Sequence, residues 1–397
     1  MSRGTIFYIG GFEMPDRNAA ALRVLANGKI LRSLGYDVVF IGIDTKMSAQ
    51  SAPLTHRHED FECWTVPYPT DVGAWLKYIV GLQMILDIIQ RPRPEKTVGV
   101  ICYNYPAVAG LRIRSLCKRL GAKFLSDATE WYDSTGGNFV YRLVKACDTS
   151  LRMHVVHRLA DGVITTSQYL TDFYTRRGLL TVELPTLFDA SRFHMPSSRG
   201  SDSLKRFIYV GSPFDAGRVN RRRTNMKERL DTCIDIFYAL HEAGKDFTFD
   251  VFGISLEEYL RVFPGHRIKI EHMAGKLVFH GRKPNVVVLE HIRNSDFSIF
   301  FRDRTRVTLA GFPSKLAESL SVGTPVISNT MLSLQRYAHT PGIYLSDRGK
   351  ELDVVANLIS IPGSEIDSIK LQAFESRTFH YQNYEKVVSN FLLKVGI

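Results

Sequence analysis

What this chain lacks narrows its identity first. No apolar run reaches the ~18 uninterrupted residues that a membrane-spanning helix needs. The nearest, residues 74–89, is broken by Lys77, Gln83 and Asp87. The N-terminus Met-Ser-Arg-Gly-Thr-Ile-Phe-Tyr-Ile-Gly runs straight into a strand, and its apolar stretch is too short for a secretory leader. Cysteine is sparse: Cys63, Cys102, Cys117, Cys147 and Cys233 are odd in number, scattered, and never spaced C-x-x-C. That argues against a disulfide frame or structural zinc and for reduced thiols in a cytosolic setting. The dinucleotide spacing G-x-G-x-x-G is missing, because Gly10-Gly11 is followed by Phe-Glu-Met-Pro; this counts against a nicotinamide enzyme. Zinc-finger spacing, basic zippers and RNP-type aromatics are absent, which disfavours nucleic acid as a partner. His154, His157, His280 and His291 have no metal-ligand spacing with acidic residues. No repeat of 20–50 residues and no low-complexity tract occurs.

What is present is an ordinary globular composition with a basic excess. The chain has 397 residues, of which 45% are hydrophobic and 23% charged. That length exceeds one typical core and implies two domains. Lys plus Arg number 51 against 40 Asp plus Glu, a net charge of +11. Such an excess suits phosphate-bearing ligands or an anionic lipid surface, although scattered solubilising charge would give the same sum.

The pattern along the chain is strand, Gly-rich turn, helix, Gly, strand. Residues 5–9 read as a buried strand, 19–34 as a helix and 37–43 as the next strand, a βαβ unit that implies a parallel sheet. The rhythm recurs with strands at 98–103, 123–127 and 162–166 and helices at 107–120 and 137–159. It breaks at 185–203, where Pro185, Pro196 and a Ser-Ser-Arg-Gly-Ser run mark a linker. A second series follows, with strands at 207–210, 248–252, 278–280 and 297–301 and helices at 227–243 and 286–294. The expected organisation is an N-terminal domain over 1–186, a linker over 187–205 and a C-terminal domain over 206–375. A last helical segment, 376–397, should pack back toward the first domain. Two Rossmann-like parallel-sheet α/β domains of this kind face a central cleft, and ligands sit at the carboxyl ends of their strands.

The most informative segment is 311–329, Gly-Phe-Pro-Ser-Lys-Leu-Ala-Glu-Ser-Leu-Ser-Val-Gly-Thr-Pro-Val-Ile-Ser-Asn. A tight turn feeds a short helix, Gly323 ends it, and an apolar strand follows. Ser314 is placed to cap the helix, leaving backbone N–H groups for an anion. Glu318 lies about one turn in, where a carboxylate could accept sugar hydroxyls. A capped surface helix with a solvated Glu would look similar from residues alone.

This segment resembles the nucleotide-sugar signature of the retaining glycosyltransferases of family 4, which have the GT-B fold. Asp296-Phe297-Ser298-Ile299-Phe300 is similar to the strand before that signature. Gly10-Gly11-Phe12-Glu13 with Arg17-Asn18-Ala19-Ala20 resembles the family's first loop. Residues 161–167 resemble its "adgvi…S" strand, and 207–212 with Lys227 its "YVG…K" opening of the second domain. The resemblance spans most of the chain. It implies a donor held by Gly10, Gly11, Ser212, Gly311, Phe312, Pro313, Ser314, Lys315 and Glu318, with Glu318 on the nucleotide ribose. It implies a nucleotide diphosphate-sugar donor, a glycan or lipid-linked acceptor, and no divalent metal or other cofactor. The family has two glutamates with seven residues between them. Glu318 matches the second, but the first falls on Ala310. A non-catalytic GT-B subunit working with a partner transferase chain, or a GT-B epimerase or phosphorylase, are therefore rival readings.

The family's diphosphate-binding Arg/Lys pair maps to Lys227, with Ser212 where the arginine usually stands; Arg218 is the substitute candidate. Arg221, Arg222 and Arg223 read more readily as a solvated loop. Arg302, Arg304 and Arg306 form a second basic set, one of which could reach a diphosphate. On the acceptor side, Asp127-Ala128-Thr129-Glu130-Trp131-Tyr132-Asp133 follows a strand end, and Asp127 and Glu130 are the candidate catalytic carboxylates. Trp75, Tyr78, Ile79, Leu82, Ile85, Leu86 and Ile89, followed by Arg91, Arg93 and Lys96, form an apolar face suited to burial or, less favourably, to peripheral contact with the inner face of a membrane.

Overall fold

The computed structural model describes residues 2–15, 17–48, 50–69, 73–74, 78, 82–132, 139–194, 204–214 and 226–397. Arg218, Arg221, Arg222, Arg223, Trp75, Ile79 and Asp133 lie outside these residues.

Strand β1 (Thr5–Gly10) alternates Ile6 and Tyr8 on one face with Phe7 and Ile9 on the other, and all four are buried. Both sides of this sheet must therefore be covered, as parallel sheets require. Helix α1 (Ala19–Ser33), N-capped by Asn18, covers the Ile6/Tyr8 face. Helices α2 (Ala107–Leu120) and α3 (Phe139–Leu151) lie on the Phe7/Ile9 side; α3 continues as a π-helical turn, Arg152–Val156, and a 3₁₀ turn, His157–Leu159. The remaining strands are β2 (Asp37–Asp44), β3 (Leu54–His58), β4 (Phe61–Pro67), β5 (Thr97–Tyr103), β6 (Lys123–Ala128), β7 (Gly162–Thr165) and β8 (Thr181–Glu183). Their order is β3-β4-β2-β1-β5-β6-β7-β8, parallel except for the edge strand β3.

The second sheet is built from β9 (Lys205–Val210), β10 (Phe247–Phe252), β11 (Leu277–Gly281), β12 (Phe297–Ile299), β13 (Val326–Asn329) and β14 (Ile343–Ser346). All its pairings are parallel, in the order β11-β10-β9-β12-β13-β14. The direction of winding reverses between β1 and β5 in the first sheet and between β9 and β12 in the second. In open parallel sheets such reversals open the crevices that hold ligands.

The structure extends the sequence reading in three places. The hairpin β3–β4 and strands β8 and β14 add to the expected elements. Of the 74–89 face, Leu82, Ile85 and Ile89 are buried in the first domain's core, which leaves them unavailable to a membrane. The segment after Pro185 is tied down at Phe188, whose N–H donates to Phe379 O and whose carbonyl accepts from Tyr381 N. From there the chain enters the last helix (Glu385–Val395), whose Val388, Phe391, Leu392 and Val395 complete the first domain's core.

Candidate functional site

The site grows from the reversal point of the second sheet. After β9, Gly211 turns with φ +129°, and a Cβ there would come within 2.9 Å of the Lys315 ammonium nitrogen. Only glycine lets the backbone pass so close. The next described stretch is pinned by two backbone bonds, Lys227 N to Pro213 O and Arg229 N to Phe301 O, each 2.9 Å or less. These deliver Glu228 to the bottom of the crevice, where its side chain is 4% exposed. On the other side, Asn329 grips Arg302 through both backbone groups at 2.9 Å. The Arg302 guanidinium then reaches Glu228 at 2.8 Å.

Lys315, in the first turn of the helix Ser314–Ser321, donates to the other Glu228 oxygen and lies over the rings of Tyr209 and Phe300. The Tyr209 hydroxyl donates to that same oxygen at 2.7 Å. One carboxylate therefore faces two cations and a phenol. Burial by itself would raise the Glu228 pKa, but Lys315 and Arg302 beside it override that and hold it at about 2. The cluster keeps a surplus positive charge, and the buried Arg302 Nη1 has no hydrogen-bond acceptor. An orphaned buried donor next to surplus charge is suited to an anion.

Glu318 stands one turn further along that helix. It is half-buried and makes no hydrogen bond or ion pair among the described residues. Burial pushes its carboxyl above the ordinary range, against the pull of Lys315. The first N–H groups of the helix, at Ser314 and Lys315, have no intrahelical acceptor by construction. Orphan donors, Lys315 and an unpaired carboxylate thus lie along about one helical turn, with Arg302 joined to Lys315 through Glu228.

The remaining sequence candidates fall into place unevenly. Gly311 does not offer its N–H to a ligand, since that group closes the preceding helix (Arg306–Ala310) on Val307 O at 3.1 Å. Phe312 packs edge-on against Tyr337. Pro313, not Ser314, occupies the N-cap position, and no side chain caps the helix. Ser212 is exposed and spends its hydroxyl on Phe214 O at 2.6 Å. In the first domain Gly10 is buried, with space for a Cβ taken by Tyr103, while Gly11, just past the end of β1, is exposed.

Lys227 is not the buried member of its segment. It is exposed and reaches across to Glu130 at 3.1 Å, a pair between the two domains with both side chains at least a third exposed. Glu228, one residue on, points into the crevice instead. A sequence signal existed: Glu228 is the lone acid in the basic stretch before Asp231. Asp127 is corrected more strongly. It is fully buried, and its oxygens accept from Tyr8 at 2.5 Å and from Arg23 at 2.8 and 3.2 Å. A carboxylate so enclosed does not line an acceptor site.

The domains also meet through Ala310, the residue standing where the resemblance puts a first glutamate. Ala310 is wholly buried against the first domain's core, and its carbonyl accepts from Ser167 Oγ at 2.7 Å. Arg306 lies over the Trp131 ring at 4.8 Å, and Arg336 pairs with Glu183 at 2.7 Å. Among the described residues no group of three or more His, Cys, Asp or Glu side chains is arranged to hold a metal ion.

No protein-family model and no curated protein matches the sequence. Solved structures do match in shape. Sucrose-phosphate synthase from Thermosynechococcus elongatus superposes with a TM-score of 0.69 at 12% identity, covering 99% of each chain. The α,α-trehalose 6-phosphate synthase of Burkholderia multivorans gives 0.63 at 12% identity, over 100% of this chain and 99% of that one. Anabaena HepE in complex with UDP and glucose gives 0.62 at 12% identity, over 98% and 99%. With the two parallel-sheet domains, these likenesses give the chain the GT-B fold.

Proposed function

We propose that the protein is a retaining glycosyltransferase of the family 4 type, moving a sugar from a nucleotide diphosphate-sugar to a glycan or lipid-linked acceptor. The observation that carries this reading is the alignment of Arg302, Lys315, the free helix start and the unpaired Glu318 within one crevice. The diphosphate would lie against the helix start and the two cations. The ribose hydroxyls would donate to Glu318. Arg302 and Lys315 then stabilise the charge that develops on the departing diphosphate, with one well-placed donor worth about 3 kcal/mol in a water-poor site. Glu228 sits behind both cations and fixes their direction. No divalent metal enters this reading, since the cations do the electrostatic work. The bound nucleotides named for the structural neighbours, UDP and UDP-glucose, belong to those proteins and support a donor of this class here.

The test is a panel of nucleotide sugars incubated with the protein and read by mass spectrometry. We expect one donor to be cleaved, at the same rate with and without EDTA. Cleavage abolished by EDTA would overturn the metal-free mechanism, and no binding of any nucleoside diphosphate would overturn the donor site.

A second reading, a non-catalytic subunit that partners an active transferase, is favoured by one observation. Ala310 is packed against the other domain, so no carboxylate can stand there. Nucleotide binding without cleavage of any donor would select it.

A lipid-linked acceptor would place the protein at a membrane face. Support comes from helix α3, not from residues 74–89. Phe139 and Leu143 are 76% and 53% exposed beside Arg142, and Asp148 is the one acid in the helical stretch 139–159. Flotation with vesicles containing anionic lipid should be lost in the Phe139→Glu, Leu143→Glu double variant. Unchanged flotation would remove this role from α3.

A further inference from the structure

The first domain buries a guanidinium that no carboxylate among the described residues neutralises. Arg152 is 3% exposed and lies in the π-helical turn that interrupts the long helix after α3. Its Nη1 donates to Asn104 O at 3.0 Å. Its Nε and Nη2 have no hydrogen-bond partner, and no carboxylate lies within ion-pair distance among the described residues. The nearest acid along the helix, Asp148, is occupied in accepting the Ala107 N–H at 2.8 Å. Glu130, beyond Tyr132, is paired with Lys227. An isolated buried cation is costly unless something completes it.

The free atoms are not arbitrary. Nε and Nη2 form one edge of the guanidinium, with two parallel donors that match two oxygens of a phosphate or carboxylate. The rest of the side chain is held firmly. Asn104, just past β5, takes a left-handed backbone with φ +44°. It is kept there by reciprocal bonds with Thr129, at 2.6 and 3.1 Å, and by its N–H on Asp127 O. Strained, over-determined residues of this sort mark functional positions, as do π-turns within α-helices. The Tyr132 ring covers the guanidinium at 4.8 Å. Asn104 follows the carboxyl end of β5, at the reversal point of the first sheet, and Tyr132 follows β6. Arg152 therefore belongs to the half of the crevice opposite the Arg302–Lys315 cluster.

We propose that Arg152 binds an oxyanion of the acceptor, side-on through Nε and Nη2, so that the acceptor is an anionic molecule and its phosphate or carboxylate is the recognised group. This rests on the transferase reading above and adds the chemical class of the second substrate. The anion would displace the Tyr132 ring from over the guanidinium as it enters. Arg152 is a binding residue and takes no part in bond making.

The test uses the full chain saturated with whichever nucleoside diphosphate binds tightest by calorimetry, so that the donor-side cations are occupied. Inorganic phosphate, octyl phosphate, a sugar phosphate and acetate are then titrated. Binding of at least one is expected, and it should weaken at least tenfold in Arg152→Met. Arg152→Lys keeps the charge but not the two-donor edge, and should also weaken it; this variant decides the matter where Arg152→Met fails to fold. Nucleotide affinity should be unchanged in both. Preference for octyl phosphate would indicate a lipid-linked source, for the sugar phosphate a soluble one, and for acetate a carboxylate. Anion binding that vanishes once nucleotide is present, or that survives both substitutions, overturns the proposal while leaving the donor site standing. Absence of nucleotide binding in the parent overturns the transferase reading instead, and the anion titration is then read without nucleotide.

Discussion

Replacing Glu318 with Ala should weaken nucleoside diphosphate binding by about 10- to 100-fold, the loss expected when a charged acceptor of hydrogen bonds, worth about 1.5–3 kcal/mol, is removed. The same position should show the opposite effect on stability. Burial raises the Glu318 carboxyl, so the folded protein holds its ionised form at a cost. A raised carboxyl takes up its proton at higher pH when folded than when unfolded. It therefore subtracts stability once the pH rises above its unfolded value, and Glu318→Gln should raise the melting temperature at neutral pH. Nucleotide affinity runs the other way. In the proposed donor site the ionised form would accept both ribose hydroxyls, so affinity should decline as the pH falls through a value above the usual carboxylate range. Calorimetry across pH, together with thermal melts of the Gln variant, reads all three. Unchanged affinity in Glu318→Ala for every common nucleoside diphosphate would remove the residue from the site.

Asp127→Ala should be among the most destabilising single changes in the molecule, costing about 3–5 kcal/mol because it strands the buried Arg23 guanidinium. Arg23 is joined to Asp127 by two hydrogen bonds and also donates to the carbonyls of Leu184 and Pro185, at 2.7 and 2.9 Å. The network thus ties α1, the end of β6 and the start of the inter-domain segment into one unit. Tyr8 and Asn27 extend it, the Asn27 amide donating to the Tyr8 hydroxyl at 3.0 Å. Urea unfolding should show the loss, while nucleotide affinity measured at low temperature stays near that of the parent. A variant that unfolds like the parent yet loses transfer would return Asp127 to a catalytic role.

These two carboxylates show where reading residues in order succeeds and where it stops. Both follow features visible in the chain, one a turn into a helix and the other at a strand end. Glu318 keeps its expected place because its neighbours in sequence build its surroundings: Lys315 is three residues away on the same helix. Asp127 does not, because its partners are Tyr8 and Arg23, over a hundred residues distant. Lys227 and Glu228 carry the same lesson at closer range. Adjacent residues on the approach to a helix point in opposite directions, and only the bonds to Pro213 and Phe301 decide which one enters the crevice.

The chain by itself determined the α/β class, the two series of parallel strands and the turn and short helix that follow Gly311. These depend on local periodicity, on glycine at turns and on caps, all of which act within a few residues. The tertiary structure decided which charges meet. It set Glu228 between Arg302 and Lys315, sealed Ala310 against the other domain and left Arg152 without a counter-ion among the described residues. Electrostatic pairing and desolvation depend on separation in space, and folding brings together groups whose order along the chain carries no record of that separation.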